Sequence, residues 1–456
     1  MDAFLINGGA PLSGRIRVNG GKNAALPQLA CSLLTDHPVV IRGAPRLADI
    51  RNMLRLLEEL GVEVMAPEAF SDDAPGHRRS GHALRLTSLD RSRSHARYDI
   101  VRTMRASVCA LGPLVARRGY ARVSMPGGCA IGDRPIDIHL RGLAALGAEI
   151  TLESGDVIAK APAGGRLRGA TVFLGGPFGS TVLGTANVMS AACLAEGRTV
   201  IECAACEPEI TDLAKLLTAM GAHIEGAGTP RITIEGVESL SGAEHEVMAD
   251  RIEAGTFMAA AAITGGRVTL ENCPLDAMLA VTDCLERAGV RIDSIGDTSD
   301  PMRATCEISC EESLRPVQIT TQPHPGFPTD LQAQLMAMLC LAEGNSVITE
   351  RIFPQRFLHV AELSRMGARL YREGPTVVVS GVRRLVGAPV MASDLRASAC
   401  LVIAALAAEG ETTIHRVYHI DRGYERMEEA MRSLGADITR VTESPATAPT
   451  LEAAAG

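Results

Sequence analysis

One short pattern, a helix that ends at a glycine and is followed by a strand, occurs six times in the chain and limits its possible folds more than any other feature. The glycines of the six copies are Gly61, Gly147, Gly221, Gly289, Gly367 and Gly435. Each lies where a residue in the left-handed conformation can end a helix, and the residues after it alternate between apolar and polar. A spacing of about 70 residues is longer than that of solenoid units, so the copies predict globular pseudo-symmetry rather than an open array.

A second unit lies between these copies: an alanine-rich helix that is apolar on nearly every face, then a glycine, then a β-branched strand. Examples are the runs 23–34, 186–201, 255–270 and 397–414. A helix that is apolar all round is expected to be buried, and small side chains let several such helices pack closely. Aromatic residues make up only 3% of the chain and Trp is absent, so the cores must consist of Leu, Val, Ile, Ala and Met. Six β-α units arranged as three plus three predict two similar α/β domains, with a ligand in the cleft between them.

Composition excludes several classes of protein. A chain of 456 residues with 46% hydrophobic content can bury large cores in more than one domain. The net charge of -8 argues against a nucleic-acid binder, and no apolar stretch is long enough for a transmembrane helix. Twelve cysteines without disulfide spacing, and without a signal peptide, predict a protein of the reducing cytoplasm.

One cysteine pair and two segments need separate interpretations. Cys203 and Cys206 form a single C-x-x-C, which we interpret as structural thiols because the second pair of a zinc site is missing. Residues 66–98, rich in Asp, Ser, Arg and Pro, predict an exposed insertion. The residues from about Thr442 to Gly456 predict a disordered tail of Ala, Thr and Pro.

The stretch Met125–Leu140 is the clearest candidate for chemistry. It contains three glycines and two prolines, so its sequence is too irregular for a helix or strand. The stretch therefore predicts a mobile loop that presents Cys129 and Arg134. A nearby guanidinium group favours the thiolate form of a cysteine or attracts an anionic substrate over it. The alternative is a turn between repeats in which the cysteine is an incidental small hydrophobic residue.

Charged residues at the beginnings of the apolar helices form a second group of candidates. Lys22 and Asn23 follow two glycines and open the first apolar helix, whose N-terminal amides attract anions. Arginines occupy comparable positions: Arg105, Arg396 and Arg422. A buried arginine needs an anionic partner, which favours an anion-binding site. Asp330 also opens an apolar helix, where it is either a functional acid or an ordinary capping or first-turn acid.

Several longer runs together carry a resemblance to a known family. They include G-G-K-N-A-A-L-P, P-G-G-C-A-I-G-D-R-P-I-D-I-H, E-P-E-I-T-D, D-R-I-E-A-G-T-F, H-P-G-F-P-T-D-L-Q-A-Q, D-L-R-A-S-A and Y-H-I-D-R-G-Y-E-R. These runs resemble the UDP-N-acetylglucosamine enolpyruvyl transferase family over nearly the whole chain, apart from the insertion and the tail. The resemblance implies the enolpyruvyl transferase fold: two inverse α/β domains of three pseudo-symmetric repeats each, with the active site in the interdomain cleft.

The resemblance also implies where the two domains divide. The first would comprise residues 22–248 and carry the cysteine loop. The second would comprise residues 1–21 and 249–456, because the first strand of the family crosses back to complete it. Periodicity alone cannot reveal that crossing.

The implied activity is transfer of enolpyruvate from phosphoenolpyruvate to a secondary hydroxyl of a uridine nucleotide, with release of phosphate through a tetrahedral ketal. The family acceptor is the 3-hydroxyl of UDP-N-acetylglucosamine, in peptidoglycan precursor synthesis. No cofactor or metal is implied. The implied partners are these small molecules and neither nucleic acid nor a membrane, and no sequence signal indicates an oligomeric state.

The resemblance assigns roles residue by residue. Cys129 would donate a proton to the methylene carbon of phosphoenolpyruvate and be alkylated by fosfomycin, and Asp330 would be the acid-base group at the acceptor hydroxyl. The phosphate would be held by Lys22, Arg134 and Arg422, and the carboxylate would face Arg356 and Arg396. Acceptor contacts are implied for Asn23, Arg105, Pro135, Ile136, Asp137, His139, Ser180, Thr329 and Ile352.

One loop departs from the family pattern and leaves the acceptor open. Residues Leu174–Asn187 replace a stretch that grips the uridine and are about three residues longer, so they predict either drift in a loop that binds through its backbone or a changed acceptor pocket. In the second case the acceptor would be UMP, at its 3'-hydroxyl, as in enolpyruvyl transferases of nucleoside-antibiotic pathways. A non-catalytic paralogue should have lost Cys129, Asp330 or the arginines, and a shikimate-type transferase would lack the cysteine loop.

Overall fold

The computed structural model describes residues 2–66, 83–125, 136–296 and 299–442. Within these ranges the strands form six sheets of four strands each. Every sheet has the same pattern: one edge strand pairs in parallel with its neighbour, and the other two pairings are antiparallel. Each sheet is accompanied by one apolar helix and one amphipathic helix, so the predicted sixfold repeat is confirmed.

The first three repeats use residues from the first part of the chain. Repeat 1 has helices Lys22–Ala30 and Ala48–Glu59 and strands Val39–Arg42, Val62–Met65, Ala83–Ser88 and Ala243–Glu246. Repeat 2 has helices Leu111–Arg118 and Asp137–Ala145 and strands His95–Ala96, Tyr120–Ser124, Glu149–Glu153 and Asp156–Lys160. Repeat 3 has helices Val182–Ala192 and Pro208–Ala219 and strands Thr171–Phe173, Arg198–Glu202, His223–Glu225 and Arg231–Glu235. Shorter helical segments are Cys31–Leu34, Tyr98–Val101 and Arg105–Ala110.

The other three repeats combine the two ends of the chain. Repeat 4 has helices Arg251–Ile263 and Leu279–Arg287 and strands Ser13–Arg17, Arg267–Cys273, Arg291–Ile295 and Ala304–Ser309. Repeat 5 has helices Gln332–Leu339 and Leu358–Arg365 and strands Gln318–Thr320, Asn345–Thr349, Arg369–Glu373 and Thr376–Ser380. Repeat 6 has helices Ala399–Ala407 and Met427–Ser433 and strands Asp2–Asn7, Pro389–Met391, Glu411–His415 and Asp437–Thr442. Shorter 3-10 helices are Leu275–Met278, Thr329–Leu331 and Val417–Arg422.

The six glycines that end the amphipathic helices adopt the backbone conformation predicted for them. Their φ angles run from 82° at Gly61 to 105° at Gly221, in the left-handed region. Residues other than glycine and asparagine rarely enter this region without strain. After Gly221, for example, the amide of Ala222 donates to the carbonyl of Leu217 and closes the helix end.

The buried apolar residues fall into two clusters. One contains residues between Ala24 and Met248 and, in addition, Ala277. The other contains residues from Phe4 to Val18 and from Ala249 to Ile438. We call them the first core and the second core, and they support our proposal that the domains divide near residues 22 and 249.

The N-terminal strands belong to the second core. Strand Asp2–Asn7 lies between Glu411–His415 and Asp437–Thr442 and is antiparallel to both. Strand Ser13–Arg17 pairs in parallel with Arg267–Cys273. This is the crossing back that the family resemblance implies.

The predicted exposed insertion over residues 66–98 is wrong for residues 83–88, whereas most of residues 89–98 are exposed. Strand Ala83–Ser88 lies inside its sheet, paired on both sides, and Leu84 and Leu86 are fully buried. Apolar residues at alternate positions are typical of a half-buried strand, but the polar residues before them hid that short signal. Residues 67–82, and the predicted tail after Thr442, lie outside the described residues.

Candidate active site

A cleft of about 490 Å³ lies between the two cores. Buried helical segments that begin at its wall are Lys22–Ala30, Arg105–Ala110, Val182–Ala192, Arg251–Ile263 and Thr329–Leu331. Asp394 and Leu395, which precede the buried helix Ala399–Ala407, line the cleft as well. The N-terminus of a helix carries a partial positive charge, so a cleft with this wall favours an anionic ligand.

Two cations meet one carboxylate on one side of the cleft. Lys22 Nζ is 2.9 Å from Asp49 Oδ2, and Arg422 Nε donates to Asp49 Oδ1 at 3.0 Å. Burial, the largest single effect, raises the pKa of Asp49, but Lys22 and Arg422 together outweigh it and lower that pKa below its usual value. Asp49 is therefore ionised at neutral pH and holds both cations at the cleft. A lysine ammonium group has three N–H donors, so Lys22 could contact a phosphate while it binds Asp49, and the guanidinium charge of Arg422 also favours a phosphate at this side.

The buried pairs of Asp49 should contribute to stability in a pH-dependent way. Removing one partner of a buried ion pair costs about 3–5 kcal/mol, so Asp49→Asn is expected to lower the free energy of unfolding by that order at pH 7. The folded-state pKa of Asp49 lies below the unfolded value of 3.8. The contribution is therefore present above that value and lost as the pH falls through the folded pKa, so the difference between the two proteins should shrink below about pH 4.

Denaturant unfolding of both proteins at pH 7 and at pH 3.5 or lower checks this expectation. Asp283→Asn is a suitable control, because Asp283 and its partner Arg287 are exposed and 3.7 Å apart. An exposed pair contributes about 0–1 kcal/mol. An Asp49→Asn protein as stable as the unaltered one at pH 7 would contradict the role of Asp49.

Asp330 meets residues from both cores. Arg356 Nη1 donates to Asp330 Oδ1 at 2.6 Å, and Asn23 Nδ2 donates to Asp330 Oδ2 at 3.4 Å. The other edge of the Arg356 guanidinium group binds both carboxylate oxygens of Asp394, at 3.0 and 3.1 Å. No side-chain cap is present at the start of Thr329–Leu331 or of Gln332–Leu339, so Asp330 does not cap either helix, but it is the acid in the first turn of Thr329–Leu331.

The charge state of Asp330 follows from its neighbours. Burial, the largest effect, raises the pKa of Asp330, but the positive charges of Arg356 and Arg396 outweigh it and hold that pKa well below the usual range. Asp330 is thus ionised at neutral pH and able to accept a proton. Its basicity is low while Arg356 is bound to it.

A buried glutamate, Glu350, fixes the part of the cleft wall that contains Thr329 and Ile352. Glu350 is fully buried and accepts hydrogen bonds from Thr329 Oγ1 at 2.9 Å and from the amide of Ile352 at 2.8 Å. It also accepts from Thr321 Oγ1 and from the amide of Phe353. Thr329 and Ile352, both predicted to contact the acceptor, line the cleft as a consequence.

The other predicted site residues within the described ranges have different positions. Those that line the cleft are Asn23, Arg105, Asp137, His139 and Ser180. His139 is buried, and its Nδ1 is 3.2 Å from Asn187 Nδ2. Ile136 is buried at the start of helix Asp137–Ala145 and is not part of the cleft wall.

Two arginines, Arg396 and Arg422, do not lie where the sequence predicted them. Arg396 lies behind the cleft wall, where it donates to Asp250 Oδ2 at 2.6 Å and to the carbonyl of Gly423 at 2.8 Å. Its anionic partner in this structure is therefore a protein carboxylate. Arg422 lines the cleft but does not begin an apolar helix: it is the last residue of Val417–Arg422.

The loop that departs from the family pattern is shorter than predicted. Gly176 and Gly179 exchange backbone hydrogen bonds in a tight turn. Helix Val182–Ala192 then begins, capped by Thr181, whose Oγ1 accepts from the amide of Gly184. The prediction of a loop through residue 187 is wrong for residues 182–187, because a threonine cap and an apolar run begin a helix there.

Cys129, Arg134 and Pro135 lie outside the described residues, so their predicted roles stay predictions.

Sequence reasoning missed other charged residues of the cleft wall, which are Asp49, Glu207, Glu209, Arg251 and Asp394. Arg251 pairs with Glu209 across the two cores at 3.0 Å, and burial raises the pKa of Glu207. All of these lie at or near helix beginnings, and Arg251 opens an apolar helix, so the rule that singled out the other arginines could have found it.

Two kinds of feature are absent from the part of the chain that the structure describes. No group of three or more His, Cys, Asp and Glu side chains in the described ranges could hold a metal ion. No helix there is both long enough and apolar enough to cross a membrane.

The fold and the cleft define a class of protein, the enolpyruvyl transferases. The crystal structure of the enolpyruvyl transferase NikO from Streptomyces tendae matches with a TM-score of 0.83 and 25% sequence identity, covering 97% of this chain and 99% of that one. EPSP synthase from Acinetobacter baumannii matches in fold with a TM-score of 0.73 and 20% identity, covering 97% and 100% of the two chains.

Sequence comparison defines the family. Residues 6–431 match the EPSP synthase (3-phosphoshikimate 1-carboxyvinyltransferase) family, and the chain belongs to it. The UDP-N-acetylglucosamine 1-carboxyvinyltransferase of Methylacidiphilum infernorum is 52% identical over 443 residues, 97% of this chain and 99% of its own. The enzyme of the same name from Novosphingobium aromaticivorans is 53% identical over 441 residues, again 97% and 99% of the two chains.

Proposed function

We propose that this enzyme transfers the enolpyruvyl group of phosphoenolpyruvate to the 3-hydroxyl of UDP-N-acetylglucosamine and releases phosphate. The observation that carries the proposal is the arrangement of charge in the cleft. Lys22 and Arg422 form a cationic side, and an ionised Asp330 lies beside Asn23 and Arg356. Relatives about half identical over nearly the full length, named for this acceptor, support the choice of nucleotide sugar.

The reaction divides among these residues as follows. Addition requires a proton on the methylene carbon of phosphoenolpyruvate, from Cys129, and removal of the hydroxyl proton of the acceptor, by Asp330. The new carbon–oxygen bond yields a tetrahedral ketal. Transfer of a proton from its methyl group back to the Cys129 thiolate, with cleavage of its bond to the phosphate oxygen, then forms the enolpyruvyl ether and releases phosphate. Lys22 and Arg422 stabilise the departing phosphate, and exclusion of water protects the ketal.

The contacts of Arg356 suggest how Asp330 becomes a stronger base. In the structure Arg356 Nη1 binds Asp330, while the same guanidinium group binds Asp394. A substrate carboxylate at Arg356 would share that charge and add a negative charge of its own, and both effects raise the pKa of Asp330. We infer that binding of phosphoenolpyruvate prepares Asp330 to accept the hydroxyl proton.

The altered loop keeps a second acceptor in consideration. The turn at Gly176 and Gly179 lies at the cleft with Ser180, so its shape bears directly on the acceptor pocket. If the loop has remodelled that pocket, the shorter UMP would place its 3'-hydroxyl near Asp330 and the nucleotide sugar would lack room. The identity to the named relatives favours the nucleotide sugar.

Phosphate release from phosphoenolpyruvate, measured with each acceptor in turn, tests the choice. We expect turnover with UDP-N-acetylglucosamine and none with UMP, because UMP lacks the sugar whose 3-hydroxyl accepts the enolpyruvyl group. Turnover of UMP alone would establish the second acceptor. If neither acceptor leads to release of phosphate, the proposed function is refuted.

Two finer assignments belong to the same proposal. The cysteines in the described part of the chain are free thiols, which suits an enzyme of the reducing cytoplasm that supplies peptidoglycan precursors. Cys129 would be the thiol that fosfomycin alkylates, because a thiolate attacks an epoxide readily.

A further inference from the structure

Two ion pairs connect the two cores beside Lys22. Arg46 donates to Glu425 Oε1 from Nε at 2.8 Å and from Nη2 at 2.7 Å, and its backbone amide donates to Glu425 Oε2 at 2.9 Å. The second pair joins Arg422 and Asp49. The side chains of Arg46 and Glu425 are only 9% and 7% exposed, so solvent and salt screen their attraction little.

The two pairs form one reciprocal contact. On the first core, Arg46 precedes Asp49 by three residues, and on the second core Arg422 precedes Glu425 by three. In both segments, 46–49 and 422–425, the cation precedes the anion. The two segments run in opposite directions, so each cation pairs with the anion of the other segment. Moving either segment would separate both pairs together.

The two residues between Arg422 and Glu425 bind the second core. The carbonyl of Gly423 accepts from Arg396 Nη1, and the Tyr424 hydroxyl is 2.8 Å from Thr256 Oγ1. Gln334 Nε2 donates to that hydroxyl at 3.1 Å and to the carbonyl of Asp330 at 2.8 Å. The segment 422–425 is thus fixed to the second core, near Asp330, by its inner residues and to the first core by its outer ones.

We propose that Arg46 and Glu425 are positioning residues for the phosphate of phosphoenolpyruvate. Neither lines the cleft. Their ion pair holds segment 422–425 against the first core, which keeps Arg422 beside Asp49 and Lys22. The inference rests on the proposed function, in which Lys22 and Arg422 hold that phosphate.

A charge-reversal experiment tests this role. Arg46→Glu sets a like charge against Glu425, and we expect it to raise the KM for phosphoenolpyruvate by about tenfold or more, with the KM for the acceptor changed less than about twofold. Combining Arg46→Glu with Glu425→Arg restores the attraction and should bring the KM for phosphoenolpyruvate to within about threefold of the original. Recovery is incomplete because the amide of residue 46 loses its carboxylate acceptor.

Arg303→Glu is the matched control. Arg303 Nη1 is 2.7 Å from Glu246, and this pair also joins residues of the two cores, but both side chains are exposed and neither residue lines the cleft. It should leave both KM values unchanged. If Arg46→Glu does not fold, Arg46→Gln takes its place, because it removes the charge without adding an opposing one.

The outcomes distinguish this inference from the proposed function. A folded Arg46 variant with an unaltered KM for phosphoenolpyruvate, or with both KM values raised equally, would overturn the positioning role. So would failure of the reversed pair to recover. Absence of phosphate release by the unaltered enzyme would instead refute the proposed function.

Discussion

Replacing Asp330 with asparagine is expected to lower kcat by about 10²- to 10⁴-fold, the usual contribution of a positioned acid or base. The amide keeps the shape of the side chain but cannot take the proton from the acceptor hydroxyl. Arg356 stays in place because both oxygens of Asp394 bind its other edge. Acceptor affinity should therefore change little, since loss of a base acts on the transition state more than on ground-state binding.

Steady-state phosphate release and calorimetric titration of the acceptor measure the two quantities. Asp276→Asn provides a control, because Asp276 is an exposed acid at the start of a short helix, Leu275–Met278. That variant should retain full kcat. An Asp330→Asn enzyme with unchanged turnover would mean that Asp330 serves only to pair with Arg356.

Replacing Cys129 with alanine is expected to abolish measurable turnover, a loss of about 10²-fold or more, because the proton donor to the methylene carbon is removed. Cys129→Asp should keep part of the activity and resist fosfomycin, since a carboxylic acid can donate a proton but attacks an epoxide poorly. Progress curves with and without fosfomycin measure both effects.

Cys206→Ala is the control for thiol loss in general. Cys206 is half-buried, and burial raises the pKa of its thiol, so it is a poor nucleophile. This variant should turn over normally and remain sensitive to fosfomycin. Normal turnover by Cys129→Ala would remove Cys129 from the mechanism and require another proton donor.

The repeat could be predicted because its signals are local. A glycine such as Gly221 ends a helix through its own φ angle, and a helix such as Arg251–Ile263 is apolar on every face because every face is buried. The family resemblance then supplied what no local pattern contains, the pairing of Asp2–Asn7 with the last two strands. The short strand Ala83–Ser88 was missed because its alternation covers too few residues to stand out.

The site could be predicted only in part, because its contacts join residues distant in sequence. Asp330, Lys22 and Arg422 could be identified from the resemblance, and the structure brings all three to the cleft. Asp49 could not, since a carboxylate in the first turn of a helix is ordinary until its partners are known. For Arg396 the sequence correctly indicated a buried charge with an anionic partner. That partner is Asp250 of the protein itself rather than a ligand.

The position of strand Asp2–Asn7 has a consequence for how the chain assembles during translation. Both of its neighbours, Glu411–His415 and Asp437–Thr442, are made about 400 residues after it. Residues of the first core are synthesised before these two neighbours and can collapse while strand Asp2–Asn7 is still unpaired. Pairing across so long a separation must also close a very large loop, which slows it. Strand Asp2–Asn7 is therefore expected to pair natively only late in folding, long after its own synthesis.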